Sequence, residues 1–247
     1  MTAIVERHDE GGVATLTLNR PEVLNALSAQ SFRELRAHAD AIGAAGDAIG
    51  CVVLRGAGRA FCAGADLKAF KERQPGDPDP TPFNRETLAA LAALPQPLIA
   101  AVHGHCMTGG LELALTADFI IAADNARISD SHQKWGLHAG WGLTQRLPRR
   151  IGAAMAKELM LSGRELSLDE ALRIGLVNRV VPLDRLQAEV QALALRIAAH
   201  PRGVTRWVKR MIDGGIDLPL PEALAHEVRN NPGRNRDLEQ RLNDGGF

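Results

Sequence analysis

Two segments combine glycines, small side chains and charged residues at spacings that suit carbonyl chemistry. The first is Arg59-Ala60-Phe61-Cys62-Ala63-Gly64-Ala65-Asp66-Leu67-Lys68, between a short apolar run and a predicted helix. The second is His105-Cys106-Met107-Thr108-Gly109-Gly110-Leu111-Glu112-Leu113-Ala114, where a glycine pair opens a helix after another apolar run. Each leaves backbone N–H groups free at a helix start, where the helix dipole also favours negative charge. Two such N–H groups aimed at one point form an oxyanion hole for a carbonyl oxygen that gains charge. Small residues permit that close approach. Glu112 follows Gly109 by about one helical turn, a spacing that can bring its carboxylate beside the same point. Spacing alone is equally compatible with glycines that only turn the chain and a Glu112 that faces water.

Other chemistries find little support. The chain has no GxxxxGK[ST] phosphate loop, no GxGxxG after a strand, no GxSxG elbow and no HExxH. Ser131-His132-Gln133-Lys134 fits SxxK, but the companion SDN and KTG motifs of acylating serines are missing. His103-Gly104-His105 would set two imidazoles on one face of a strand, yet no third ligand is evident and no metal is expected. Cys51, Cys62 and Cys106 form neither an even set nor a CxxC, which excludes a disulfide framework and a zinc ribbon.

Several elements must position these segments. Residues 3–8 and 12–18 read as a hairpin turning at Gly11 and Gly12. Ser28 is the predicted N-cap of a helix running to about Ala45, with Phe32, Leu35 and Ala39 on one face. CVVLRG (51–56), PLIAAV (97–102) and DFIIAAD (118–124) are apolar runs of buried-strand length. The proline-rich stretch from Gln74 to Pro82 reads as a mobile loop. From Gly152 the pattern turns helical: Ala153 to Leu161, then Ser167 to Ile174 with Ser167 as cap. A strand follows at LVNRVVP (176–182), then helices over Leu183 to Ala199, Pro201 to Ile212 and Pro221 to Val228.

Composition narrows the function classes. The 247 residues carry 29 Lys+Arg and 29 Asp+Glu, so no basic field attracts nucleic acid and no polybasic patch seeks a membrane. Aromatic residues are 4% and Tyr is absent, which disfavours a base-stacking surface. The uncharged stretch from Thr87 to Leu111 is long enough to cross a bilayer, but Pro95, Pro97, Gly104, Gly109 and Gly110 interrupt it. The charged start MTAIVERHDE is unlike a signal peptide. A soluble, cytoplasmic protein is expected.

Taken together, six ordered segments resemble the crotonase (enoyl-CoA hydratase/isomerase) superfamily. They are NRPEVLNALS (19–28), FCAGADLK (61–68), GHCMTGGLELALTADFIIA (104–122), GLHAGWGLTQRLPRRIG (136–152), LSGRELSLDEALRIGLVNRVVP (161–182) and the helical tail. The resemblance implies an α/β fold, a core of ββα units wound into a superhelix over residues 1–190. It also implies a C-terminal helical region over 191–247 that mediates trimer contacts, with trimers often paired into hexamers. The implied substrates are acyl-CoA thioesters, with no cofactor beyond the coenzyme A that the substrate carries. The two oxyanion amides map onto Ala65 and Gly109. Ala63, Asp66, Leu67 and Lys68 fall where the first loop lines the coenzyme A.

One departure stands out. Hydratases of this family bring two glutamates to the substrate alkene; Glu112 matches the first, whereas His132 occupies the position of the second. The glycine run is Thr108-Gly109-Gly110 rather than three glycines. An imidazole can hold water or shuttle a proton, oriented by Asp130 or another carboxylate, or it can simply line the pocket. The leading expectation is an enoyl-CoA hydratase using Glu112 and His132. A Δ3,Δ2-enoyl-CoA isomerase using Glu112 alone and a non-catalytic acyl-CoA-binding protein are the alternatives. Trp135, Trp141 and the proline loop are expected to border the acyl pocket.

Overall fold

Gly11 and Gly12 both adopt positive φ (59° and 76°), which lets a two-residue turn join β1 (Val5–Glu10) to β2 (Val13–Leu18). The computed structural model describes residues 3–72, 74, 76–234 and 238–243. The strands that follow are β3 (Cys51–Gly56), β4 (Leu98–Val102), β5 (His105–Met107), β6 (Phe119–Ala123), β7 (Arg127–Ser129), β8 (Glu165–Leu166) and β9 (Arg179–Val181). A six-stranded sheet runs β1-β2-β3-β4-β6-β9, antiparallel at the hairpin and parallel from β2 onward. A second sheet of three strands runs β5-β7-β8, parallel between β5 and β7 and antiparallel between β7 and β8. This mixed α/β architecture agrees with the fold class that the sequence resemblance implies.

The central strands β3, β4 and β6 are buried on both faces, and alternate residues serve different layers. Leu16, Leu54, Ala100 and Ile120 pack into the main core with Phe32, Leu35 and Ile42 of α1 (Ala29–Ala44). Val53, Ile99 and Ile121 face the other way, against Leu186, Val190 and Ala194 of a late helix. Ser28 caps α1 as expected: its hydroxyl accepts from Ser31 N, and Ser31 Oγ accepts from Ser28 N. The next helices are α2 (Leu67–Glu72), α3 (Thr81–Ala92) and α4 (Gly109–Ala114).

The second half is built of α5 (Leu143–Ile151), α6 (Ala153–Ser162), α7 (Leu168–Arg173), α8 (Leu186–Ala199), α9 (Arg202–Gly215), α10 (Leu220–Arg229) and α11 (Leu238–Asn243). Ser167 caps α7 by accepting from Glu170 N. Helix α8 is the late helix that covers the six-stranded sheet, and residue 190 lies within it.

Four sequence expectations shift. The chain becomes helical at Leu143 rather than Gly152; Pro148 inside α5 and the glycines before it hid that helix. Helix α3 absorbs the end of the proline stretch, leaving an irregular segment at 76–80, while Pro75 lies outside the described residues. Pro201 is the N-cap of α9 rather than a first-turn residue. His103 and His105 do not share a strand face, because Gly104 (φ 51°) separates β4 from β5. His103 Nε2 instead bonds Gly58 O at 2.9 Å, and no group of three metal-ligating side chains occurs among the described residues.

Candidate active site

The first loop leaves β3 and is held by residues 19–28. Asn25, itself at φ 58°, donates through Nδ2 to Ala57 O (2.9 Å) and Ala60 O (2.7 Å), while its Oδ1 accepts from Arg20 N. Leu27 then forms a parallel bridge with Ala65: Leu27 N donates to Gly64 O (2.8 Å) and Asp66 N to Leu27 O (3.0 Å). In that bridge the flanking residues face Leu27, so the Ala65 N–H points to the opposite side. Among the described residues it has no partner.

The second loop is joined to the first by the Cys62–Cys106 bridge, in which Cys62 N donates to His105 O and Met107 N to Cys62 O. Gly64, at φ 108°, lies so near that an added Cβ would stand 3.4 Å from Gly109 N. Gly109 N, the first amide of α4, likewise has no partner among the described residues. A Cβ on Gly109 would strike the Trp141 ring, and one on Gly110 would strike Cys62 O. Both thiols beside these loops are buried; burial pushes Cys62 up to about 12 and Cys106 well above its ordinary value, so neither supplies a thiolate.

Glu112 is fully buried, at 1% exposure. Its Oε1 accepts from Trp141 N (2.9 Å) and Leu143 N (3.1 Å), the backbone entering α5. Its Oε2 lies 3.9 Å from His132 Nε2. Burial holds the Glu112 carboxyl above the usual carboxylate range, although the two backbone amides and His132 pull the other way. On its far side His132 Nδ1 lies 2.6 Å from Asp130 Oδ1. The Trp141 ring that closes this corner packs edge-on against Phe32, with centroids 4.8 Å apart.

A cavity of about 150 Å³ brings Ala63, Ala65, Leu67, Gly109, Glu112 and His132 together. Thr81, Trp135 and Trp141 also line it. Asp66 and Lys68 do not. Asp66 pairs with Arg20 (2.9 Å), and Lys68 is exposed, 3.8 Å from Glu72. Sequence reasoning missed the two amides that anchor Glu112, and it gave Asn25 no part in fixing the first loop. The NRPEVLNALS motif was the available signal for Asn25.

Two amides without partners among the described residues, in loops that line one cavity with a buried carboxylate on this two-sheet scaffold, mark an acyl-thioester-handling enzyme of the crotonase type. The sequence matches the enoyl-CoA hydratase/isomerase family model over residues 8–238, and the chain belongs to that family. It is 40% identical to the "Probable enoyl-CoA hydratase echA8" of Mycobacterium bovis over 228 residues, 92% of this chain and 87% of that one. It is 35% identical over 234 residues to the crotonyl-CoA hydratase of Syntrophomonas wolfei, 91% of this chain and 86% of that one. The crystal structure of an enoyl-CoA hydratase from Bacillus anthracis superposes with a TM-score of 0.88 at 33% identity, covering 98% of this chain and 96% of that one.

Proposed function

We propose that the protein hydrates the 2,3-double bond of an enoyl-CoA thioester. The observation that carries this reading is the placement of two proton-transferring groups, Glu112 Oε2 and His132 Nε2, 3.9 Å apart in the cavity that both loops line. A water about 2.8 Å from both atoms would see them at about 90°, an acceptable angle for one molecule bonded to both. The Ala65 and Gly109 N–H groups would hold the thioester oxygen as negative charge moves onto it, a contribution of about 2.7–4 kcal/mol per donor in comparable sites. Ala63, Asp66, Leu67 and Lys68 would contact the coenzyme A. Water addition is redox-neutral, so the reaction calls for no electron-carrying cofactor.

The same reading places the enzyme in the cytoplasm, as trimers that pair into hexamers. No helix among the described residues is long and apolar enough to cross a membrane. An exposed apolar stripe at four-residue spacing, Val204, Val208 and Ile212 on α9 continued by Ile216 at its C-cap, supports a subunit contact. Assay of crotonyl-CoA against a 3-enoyl-CoA tests the reaction. Water addition to the first supports hydration, whereas exclusive conversion of the second to its 2-enoyl isomer overturns it. Saturable binding without conversion of either would leave an acyl-CoA-binding protein.

A further inference from the structure

Asp130 follows β7 directly and is 1% exposed. Its Oδ1 accepts from the His132 backbone N at 3.1 Å and lies 2.6 Å from His132 Nδ1. Its Oδ2 is buried with no hydrogen-bond partner among the described residues. An orphaned carboxylate oxygen is costly, and such a cost is commonly retained where a side chain must be held for chemistry. Among the described residues His132 is the only side chain bonded to the carboxylate, and it lies between Asp130 and Glu112.

The chemistry of the three groups fixes a direction. Asp130 Oδ1 already accepts from the His132 backbone N–H, and an oxygen in that role receives a second proton donor, so the imidazole proton on its side resides on Nδ1. The Nε2 lone pair then faces the cavity and Glu112. In the opposite tautomer Nε2–H would donate to Glu112 and could accept nothing from water.

We propose that Asp130 is a positioning residue that fixes His132 in the Nδ1–H tautomer, making His132 Nε2 the acceptor of the water proton and Glu112 the proton donor. The proposal rests on the hydration reading above. As the water oxygen bonds to C3, its O–H bond breaks and the proton passes to His132 Nε2. The C2=C3 electron pair moves through C1 onto the thioester oxygen, held by the Ala65 and Gly109 amides. C2 of that enolate then takes the proton from the Glu112 carboxyl. The imidazolium returns its proton to Glu112, which restores both groups. One water is consumed, with OH on C3 and H on C2.

Nitrogen NMR of ¹⁵N-histidine-labelled protein, with the His132 signals assigned by their loss in His132→Gln, reads the tautomer without any turnover. The expected wild-type pattern is a protonated Nδ1 and an unprotonated Nε2, lost in Asp130→Asn. A wild-type Nε2–H pattern overturns the proposal whether or not any position-130 variant folds. In kinetics, Asp130→Asn should lower kcat for crotonyl-CoA about tenfold or more and leave KM nearly unchanged. The same change made in the His132→Gln background should cost little further. Equal losses in both backgrounds, or a loss confined to KM, would reduce Asp130 to a structural residue. Absence of crotonyl-CoA turnover in wild type would sink the hydration reading itself, while the NMR result still decides the tautomer.

Discussion

Thr108 Oγ1 and Ser131 Oγ lie 2.7 Å apart, and this hydroxyl pair ties the start of α4 to the segment that carries Asp130 and His132. Thr108 N adds a second tie by donating to Ser129 O at 3.0 Å. The geometry is held at some cost, because Thr108 adopts φ 53° and ψ −112°, a region that favours glycine. The departure from a three-glycine run is thus a cross-link between the start of α4, at Gly109, and the segment that carries the imidazole.

Two substitutions separate strain from bonding. Thr108→Val keeps a branched side chain at positive φ and removes the hydroxyl, so it should destabilise by about 1–3 kcal/mol through the Ser131 hydroxyl left behind. Thr108→Gly relieves the strain as it loses the bond, so its urea midpoint should lie much nearer wild type. Equal midpoints for the two variants would mean that the strain at Thr108 contributes nothing, and a Thr108→Val midpoint equal to that of wild type would mean the same of the hydroxyl pair.

Glu112→Gln should lower kcat by roughly 10²–10⁴ and leave acyl-CoA binding largely intact. Its stability should move the other way. Burial raises the folded-state pKa of Glu112, so ionisation favours the unfolded chain, and stability falls as pH rises from the unfolded value through the raised folded one. A neutral amide that still accepts from Trp141 N and Leu143 N escapes that loss. The variant should melt no lower than wild type at pH 7 and gain least at pH 4; a lower Tm at pH 7 contradicts the account.

Gly109→Ala should act through Trp141 rather than through α4. An added Cβ meets the indole ring, whose backbone N–H anchors Glu112, so displacement of the ring disturbs both the amide and the acid. Turnover should fall about tenfold or more, in line with the worth of a well-placed oxyanion donor. Gly109→Ala combined with Trp141→Leu should recover part of the loss. No recovery would place the fault in the backbone at 109.

Much of this arrangement was legible in the sequence because it is local. The strand runs, the Ser28 and Ser167 caps and the i, i+3 relation of Gly109 to Glu112 depend on neighbours along the chain. His132 and Asp130 stand two apart, so their pairing was within reach. The anchoring of Glu112 was not, since its partners Trp141 and Leu143 lie 29 and 31 residues away. Their amides carry no side-chain signature, and Pro148 masked the helix that presents them. Asn25 posed the same difficulty, because its bonds reach Ala57 and Ala60 across 32 and 35 residues.

The stripe on α9 gives an assembly prediction. Light scattering at micromolar concentration should report a trimer or hexamer, and Val208→Glu with Ile212→Glu should shift the mass toward monomer by placing charge in an apolar contact. Monomeric wild-type protein would leave the exposed stripe without this explanation.

Replacing His132 by glutamate offers the sharpest test of why this chain departs from the two-glutamate pattern. In isolation the change restores a second carboxylate and should favour hydration. The structure predicts otherwise, because Asp130 is buried beside that position with one oxygen already unpartnered. A glutamate there would remove its imidazole donor and put three carboxylates side by side, with Arg146 on α5 the cation that interacts with Glu112. Like charges disfavour one another's ionisation, so any step needing an ionised member of the cluster would require a higher pH. His132→Glu alone should therefore be less stable than wild type at neutral pH and turn over crotonyl-CoA more slowly. His132→Glu combined with Asp130→Asn removes one charge and supplies an amide that can donate to the new carboxylate. The double variant should regain stability, and its rate should exceed that of His132→Glu by tenfold or so if the Asp130–His132 pair stands in for the second glutamate. Should His132→Glu by itself outperform wild type across pH 6 to 8, the pair is no substitute, and the native chain is adapted to another reaction on the same thioester.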